Sequence, residues 1–190
     1  MDKYRCFIAI DLPGDLKKDL ARVQAEMRSW PVRVKWVEEQ NFHLTLKFLG
    51  DIDRPFLKEI SSSLEKVSLQ HQKFSFSISG LGAYPSLSRP KVIWAGVRDN
   101  KKCLYRIWTD IESEMVKLGL PAEKRKFSPH LTLGRVKELM PAPGLDDILP
   151  GLPLGDREAV VSEIKLMRST LSRSGPEYFC ISSFTLQEHF

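Results

Sequence analysis

The chain has little cysteine: three residues in 190, Cys6, Cys103 and Cys180. An odd, scattered set argues against a disulfide framework and fits the reduced thiols of a cytoplasmic protein. Cys6 and Cys180 stand in strand-like stretches and are expected in the core. No apolar run approaches the roughly 20 residues of a membrane span. The opening Met1-Asp2-Lys3-Tyr4-Arg5 passes directly into a strand-like stretch, with no apolar signal region, so no membrane contact is expected. An HExxH motif, paired cysteines and carboxylates at metal-site spacing beside a histidine are all missing, so no metal is expected. A GxxxxGK[ST] phosphate loop is missing too. Gly80-Leu81-Gly82 lacks the rest of a dinucleotide fingerprint and reads as a turn, so no cofactor is expected. Histidine is also scarce, at four residues: His43, His71, His130 and His189.

What is present is ordinary in bulk. Apolar residues make up 42% and charged residues 28%, as in a soluble globular protein. The net charge of +5 is a small push towards a phosphate-bearing partner. The informative feature is local. His43-Leu44-Thr45-Leu46 recurs letter for letter at His130-Leu131-Thr132-Leu133. A His–apolar–Thr–apolar quartet arises by chance in roughly 3% of chains this long, and a second independent copy makes the pair far rarer. Each copy alternates with the period of a half-buried strand. His and Thr share one face of that strand and the two Leu share the other. The Leu pair can anchor in a core and leave His and Thr free for chemistry.

The repeat extends outwards. The two His are 87 positions apart, as are the strand-like Phe7–Ile10 and Trp94–Val97. Each of these is followed by apolar residues at helical spacing: Leu16, Leu20, Val23 and Met27, then Leu104, Ile107, Ile111 and Met115. The chain therefore reads as a duplicated unit, about 1–80 and 91–170, within one domain spanning 1–190. Strands are predicted over Arg5–Ile10, Val32–Val37, Phe42–Phe48, Phe74–Ile78, Lys91–Val97 and His130–Arg135, with helices to about Arg28, over Arg54–Leu69 and over Lys101–Leu118. Gly80–Pro90 reads as a connection and Met140–Asp156 as a long irregular loop. Val160–Thr170 and Tyr178–Gln187 read as a closing pair of strands around Ser174-Gly175-Pro176. Adjacent strands beside segregated helices give an α+β class with antiparallel pairing.

Two His–Thr strands suit a phosphodiester. One group must take a proton from the nucleophile and another must give one to the leaving oxygen, and an imidazole titrating near neutrality can do either. The Thr45 and Thr132 hydroxyls can donate to the charged phosphoryl oxygens. Spacing leaves open which His is the acid. His71 and His189 lack a Thr two positions on and are expected to be bystanders.

These stretches resemble the two-histidine (2H) phosphoesterases, and closely their RNA 2′,3′-cyclic phosphodiesterase or 2′-5′ RNA ligase-like branch. The resemblance is carried by Arg5–Ile10, Trp36-Val37, Asn41–Gly50, Pro90–Trp94, Phe127–Arg135, Leu166–Leu171, Gly175 and Tyr178. It implies a bilobal fold: two pseudo-symmetric lobes whose antiparallel sheets line a central cleft, with helices outside. It implies His43 as proton donor to the leaving 3′ oxygen and His130 as proton acceptor from water, giving a 2′-phosphate. It also implies Thr45 and Thr132 on the phosphate and Arg135 near the substrate. Phe48 and Trp36 can stack on a base or pack in the core, which is the commoner fate of such rings. The implied partner is RNA with 2′,3′-cyclic phosphate ends, tRNA fragments among the candidates, bound by a monomer. Reversible 2′-5′ RNA ligation and a non-catalytic RNA- or nucleotide-binding module are the alternatives. Intact His in both motifs argues against mere binding.

Overall fold

A computed structural model describes residues 3–29, 32–139, 157–171 and 175–188. The predicted 140–156 loop, Ser174 and His189 lie outside them. In chain order the elements are β1 (Lys3–Asp11), α1 (Gly14–Met27), β2 (Val32–Trp36), β3 (His43–Asp53), α2 (Leu57–Ser68), β4 (Phe74–Tyr84), β5 (Val92–Arg98), α3 (Cys103–Lys117), β6 (His130–Leu139), β7 (Arg157–Val161), β8 (Glu163–Leu171) and β9 (Pro176–Thr185).

The strands form one antiparallel sheet in the order β7-β4-β5-β6-β3-β1-β8-β9, with β2 added along β6. The halves meet at its centre, where Leu44 of β3 pairs with Leu131 of β6. One lobe is β3-β1-β8-β9 and the other is β6-β5-β4-β7 with β2. The last strand of each repeat crosses over: β4 ends the first repeat but pairs with β5, and β8 ends the second but pairs with β1. The lobes are therefore interleaved in sequence. β7 and β8 sit far apart in the strand order, yet only Ser162 separates them. Two peptide steps span at most about 7 Å, so the sheet must curl back on itself.

The helices bury the apolar stripes seen in the sequence: Leu16, Leu20, Val23 and Met27 on α1, and Leu104, Ile107, Ile111 and Met115 on α3. They join Ile8, Ile10, Leu44, Leu46, Leu131 and Leu133 in one core. The opposite face of the sheet is left for the cleft.

Several expectations need correction. The single strand read over Val160–Thr170 is two, β7 and β8, on different lobes. Gly80–Pro90 is not all connection, because β4 continues to Tyr84. Gly80 takes a left-handed φ of 73° at a register shift between Ile78 and Leu81, so it is a bulge that lets pairing with β5 resume. Gly82 faces Trp94, whose ring would lie 2.3 Å from any Cβ placed there. The glycines serve strand geometry. Register also shows that β1 and β5 are equivalent at an offset two residues shorter than the motifs. Ala9 pairs with Thr45 whereas Trp94 pairs with Thr132, so Ala9 and Trp94 correspond, not Phe7 and Trp94. Cys6 is buried, but Cys180 is exposed on the edge strand β9.

Candidate active site

Both motifs open their strands, with His43 first in β3 and His130 first in β6. All four motif leucines are buried, and His43, Thr45, His130 and Thr132 are half-buried on the other face. Carrying the antiparallel Leu44–Leu131 register one residue each way sets His43 opposite Thr132 and Thr45 opposite His130. The four predicted side chains are thus brought together.

The imidazoles are held alike. His43 Nδ1 donates to the Asn41 carbonyl at 2.7 Å, and His130 Nδ1 donates to the Ser128 carbonyl at 2.8 Å. A carbonyl only accepts, so Nδ1 carries the proton and Nε2 is the working nitrogen in both rings. At His43 the Thr45 hydroxyl donates to Nε2 at 3.1 Å. A tyrosine then packs edge-on against each ring, Tyr178 on His43 with centroids 5.2 Å apart and Tyr84 on His130 at 5.1 Å. The residue two before each His also ties down its tyrosine. Asn41 Nδ2 donates to the Pro176 carbonyl at 3.2 Å, at the start of the strand that carries Tyr178. Ser128 Oγ shares a 2.9 Å hydrogen bond with the Tyr84 hydroxyl. Phe7 lies 5.0 Å from His43 and Trp94 lies 6.5 Å from His130, completing two aromatic enclosures. Sequence reasoning named none of these rings as a site residue. Phe7, Trp94 and Tyr178 lie within the stretches that carry the resemblance and Tyr84 within one read as a connection, without anything that marks them as site residues.

The enclosures differ in charge. Asp11 stands across from His43 on β1, whereas Gly96 stands across from His130 on β5. Asp11 binds Lys17 at 2.6 Å and Lys165 at 3.0 Å. Burial alone would raise its pKa, but the two ammonium groups outweigh that and hold it below the usual carboxylate value. Burial pushes the His43 pKa down, and Lys17 adds to this. The Asn41 hydrogen bond and the Asp11 carboxylate oppose it without reversing it. A cavity of about 260 Å³ opens beside His43, lined by Asp11, Asn41, Lys165, Met167, Tyr178 and Cys180 among others.

Arg135 and Phe48 lie five residues after their histidines, which by strict alternation would turn them to the leucine face. Two bulges prevent this. Leu46 is skipped in the pairing of β3 with β1, and Leu133 in the pairing of β6 with β5. Each extra residue reverses the alternation, so Phe48 and Arg135 return to the His–Thr side. Phe48 is 70% exposed, which rules out the core-packing reading for it, whereas Trp36 packs against the core as expected. Arg135 is exposed, and its charge is felt by the Tyr178 hydroxyl, although burial keeps that pKa raised. Behind the bulges are two buried polar supports. Gln24 Nε2 on α1 donates to the Val37 carbonyl at 2.8 Å and the Leu133 carbonyl at 2.7 Å. Lys47 Nζ binds Glu112 on α3 at 2.7 Å and donates to the Pro121 carbonyl at 3.0 Å. His71 lies elsewhere, with Nε2 2.7 Å from Asp110 of α3. Among the described residues no His, Cys, Asp and Glu cluster could hold a metal ion, and no helix is long and apolar enough to cross a membrane.

The model of the LigT-like phosphoesterase family matches the chain over residues 10–94 and again over 96–178. The chain belongs to the LigT-like phosphoesterase family. The two matched segments follow the two repeats. Among curated relatives, RNA 2′,3′-cyclic phosphodiesterase of Aeropyrum pernix is 38% identical over 84% of this chain and 90% of its own length. The protein of the same name from Methanothermobacter thermautotrophicus is 35% identical over 97% of this chain and 100% of its own. A Thermus thermophilus crystal structure superposes with a TM-score of 0.83 at 25% identity, covering 98% of this chain and 100% of that one. Escherichia coli LigT complexed with 3′-AMP gives 0.80 at 25% identity, covering 97% of this chain and 99% of that one. The family fold and this chain's α+β sheet with two similar halves agree.

Proposed function

We propose that this protein hydrolyses the 2′,3′-cyclic phosphate at RNA ends to a 2′-phosphate, with His43 as general acid, His130 as general base and no metal ion. The observation that carries this reading is the matched anchoring of two imidazoles, each with Nδ1 on a main-chain carbonyl, on paired strands that also hold two threonines. The activity borne in the names of the curated relatives supports the substrate class.

The cyclic phosphate lies between the two Nε2 atoms. Neutral His130 takes a proton from water, whose oxygen attacks phosphorus. The bond from phosphorus to O3′ breaks, and protonated His43 gives its Nε2 proton to O3′. The phosphate stays on O2′, and solvent exchange returns His130 and His43 to their starting forms. Thr45 and Thr132 donate to the non-bridging oxygens, and the Arg135 guanidinium offsets their charge. In the free protein the lowered His43 pKa leaves Nε2 accepting from Thr45. The substrate's negative charge favours the imidazolium, and a protonated Nε2 can no longer accept. The Thr45 hydroxyl is then released to the phosphate. Substrate binding and His43 protonation are thus coupled.

The test is turnover of a 2′,3′-cyclic-phosphate oligonucleotide by His43→Ala and His130→Ala. Each substitution is expected to lower the rate by about 10²–10⁴-fold. The double variant should fall by less than the product of the two, because the residues act as a unit. Near-normal turnover in both single variants would overturn the assignment.

A further inference from the structure

The cations on the cleft face are unevenly compensated. On the His43 side, Lys17 and Lys165 are tied to Asp11, and Lys165 also binds Glu163. On the His130 side, Arg135 is followed by Lys137, and Lys35 of β2 pairs with Arg135 in register. Val34 and Val136 pack against the core, so Lys35 and its register partner Arg135 point to the opposite, cleft side, while Lys137, passed over in the pairing of β2 with β6, is a bulge residue two positions beyond Arg135. All three are exposed, and none is paired with a carboxylate among the described residues; Arg33 on the same strand is, to Glu138. Lys35 also leans across the mouth of the cleft, where its Nζ would be 3.4 Å from a Cβ on Gly175, at the start of the β9 arm. The strip begins at the catalytic phosphate position and leads away from it. Two residues of strand advance about 6.6 Å.

We propose that Lys35 and Lys137, flanking Arg135, bind the backbone phosphates of RNA that precede the terminal cyclic phosphate, so that the enzyme prefers oligonucleotide ends to cyclic mononucleotides. This rests on the proposed reaction and adds a polymer-binding track to it. The chemistry is sequence-independent: compact ammonium groups facing phosphates. The preference therefore follows chain length and salt, not sequence.

The experiment compares kcat/KM for a pentanucleotide and a mononucleotide, each carrying a 2′,3′-cyclic phosphate, in the wild-type protein and in Lys35→Gln/Lys137→Gln. A Lys58→Gln/Lys66→Gln control removes the same net charge from exposed positions of α2. The wild-type protein should favour the pentanucleotide. Lys35→Gln/Lys137→Gln should cut the pentanucleotide-to-mononucleotide ratio on the order of tenfold and reduce the slope of log(kcat/KM) against log salt by about 1.4. The α2 control should keep the wild-type ratio. No wild-type preference, an unchanged ratio, or an equal fall in the α2 control would each overturn the track. Failure of the wild-type protein to hydrolyse either substrate would instead refute the proposed reaction.

Discussion

Gln24 joins stability to substrate binding through one amide. It is buried on α1 and its Nε2 donates to two carbonyls, Val37 and Leu133, both beside the bulge that turns Arg135 into the cleft. Gln24→Leu keeps most of the volume and removes both donors. The Leu133 carbonyl retains the Val37 amide at 2.9 Å, so it loses one of two partners, about 0.5–1.5 kcal/mol. No other hydrogen bond to the Val37 carbonyl is found among the described residues. Left buried and unsatisfied, it costs about 1–3 kcal/mol. Together these give about 1.5–4.5 kcal/mol, or a Tm lower by roughly 3–18 °C at this chain length. A relaxed bulge also lets Arg135 turn back towards the leucine face. KM for a cyclic-phosphate substrate should then rise more than kcat falls. Thermal unfolding and steady-state kinetics on the same preparation measure both effects. A Gln24→Leu protein with wild-type Tm and KM would refute the claim that this amide holds the bulge.

Other outcomes follow from the same frame. Lys47→Ala leaves the half-buried Glu112 carboxylate with the Glu123 amide but no cation and should destabilise by about 2–4 kcal/mol in denaturant unfolding, while Lys47→Met/Glu112→Leu should recover most of that loss. Asp11→Asn removes a carboxylate that raises the His43 pKa and leaves the Lys17 charge unopposed, so His43 should titrate at lower pH by NMR; an upward shift would contradict the electrostatics. Because the folded His43 pKa lies below its unfolded value near 6.5, the unfolded chain binds more protons there, and stability should fall as pH drops through 6.5. His43→Gln should flatten that part of the stability profile. Ser128→Ala or Tyr84→Phe removes the hydroxyl pair that braces His130 and should lower kcat several-fold with little change in KM, with Ser128→Thr restoring it.

How much of this was legible in the sequence depended on whether a residue obeyed a simple period. The motif leucines and their His–Thr partners follow strict alternation, and the core and cleft faces came directly from it. The helices were equally plain in the 3–4 spacing of Leu16 to Met27 and of Leu104 to Met115. Arg135 and Phe48 break alternation through bulges at Leu46 and Leu133. Those bulges rest on Gln24, a helix residue 109 positions from its partner Leu133, and on Lys47 with Glu112. Such support is tertiary, so no local window contains it. Gly80 and Gly82 read as a turn because glycine's usual role is a break, whereas here one makes a bulge and the other makes room for Trp94. The division of 160–170 between two lobes was hidden for a related reason, since Ser162 carries no turn signal and the sheet's curl alone separates β7 from β8.

The central claim is that two imidazoles with equivalent anchors, and no metal ion, open the ring at the 3′ oxygen. The most direct measurement is product identification after the purified protein has acted on a 2′,3′-cyclic-phosphate oligonucleotide in excess chelator, with ³¹P NMR to distinguish the isomers. The account predicts sustained turnover and a 2′-phosphate alone. A 3′-phosphate product, or activity lost to the chelator and restored by a divalent metal, would contradict it.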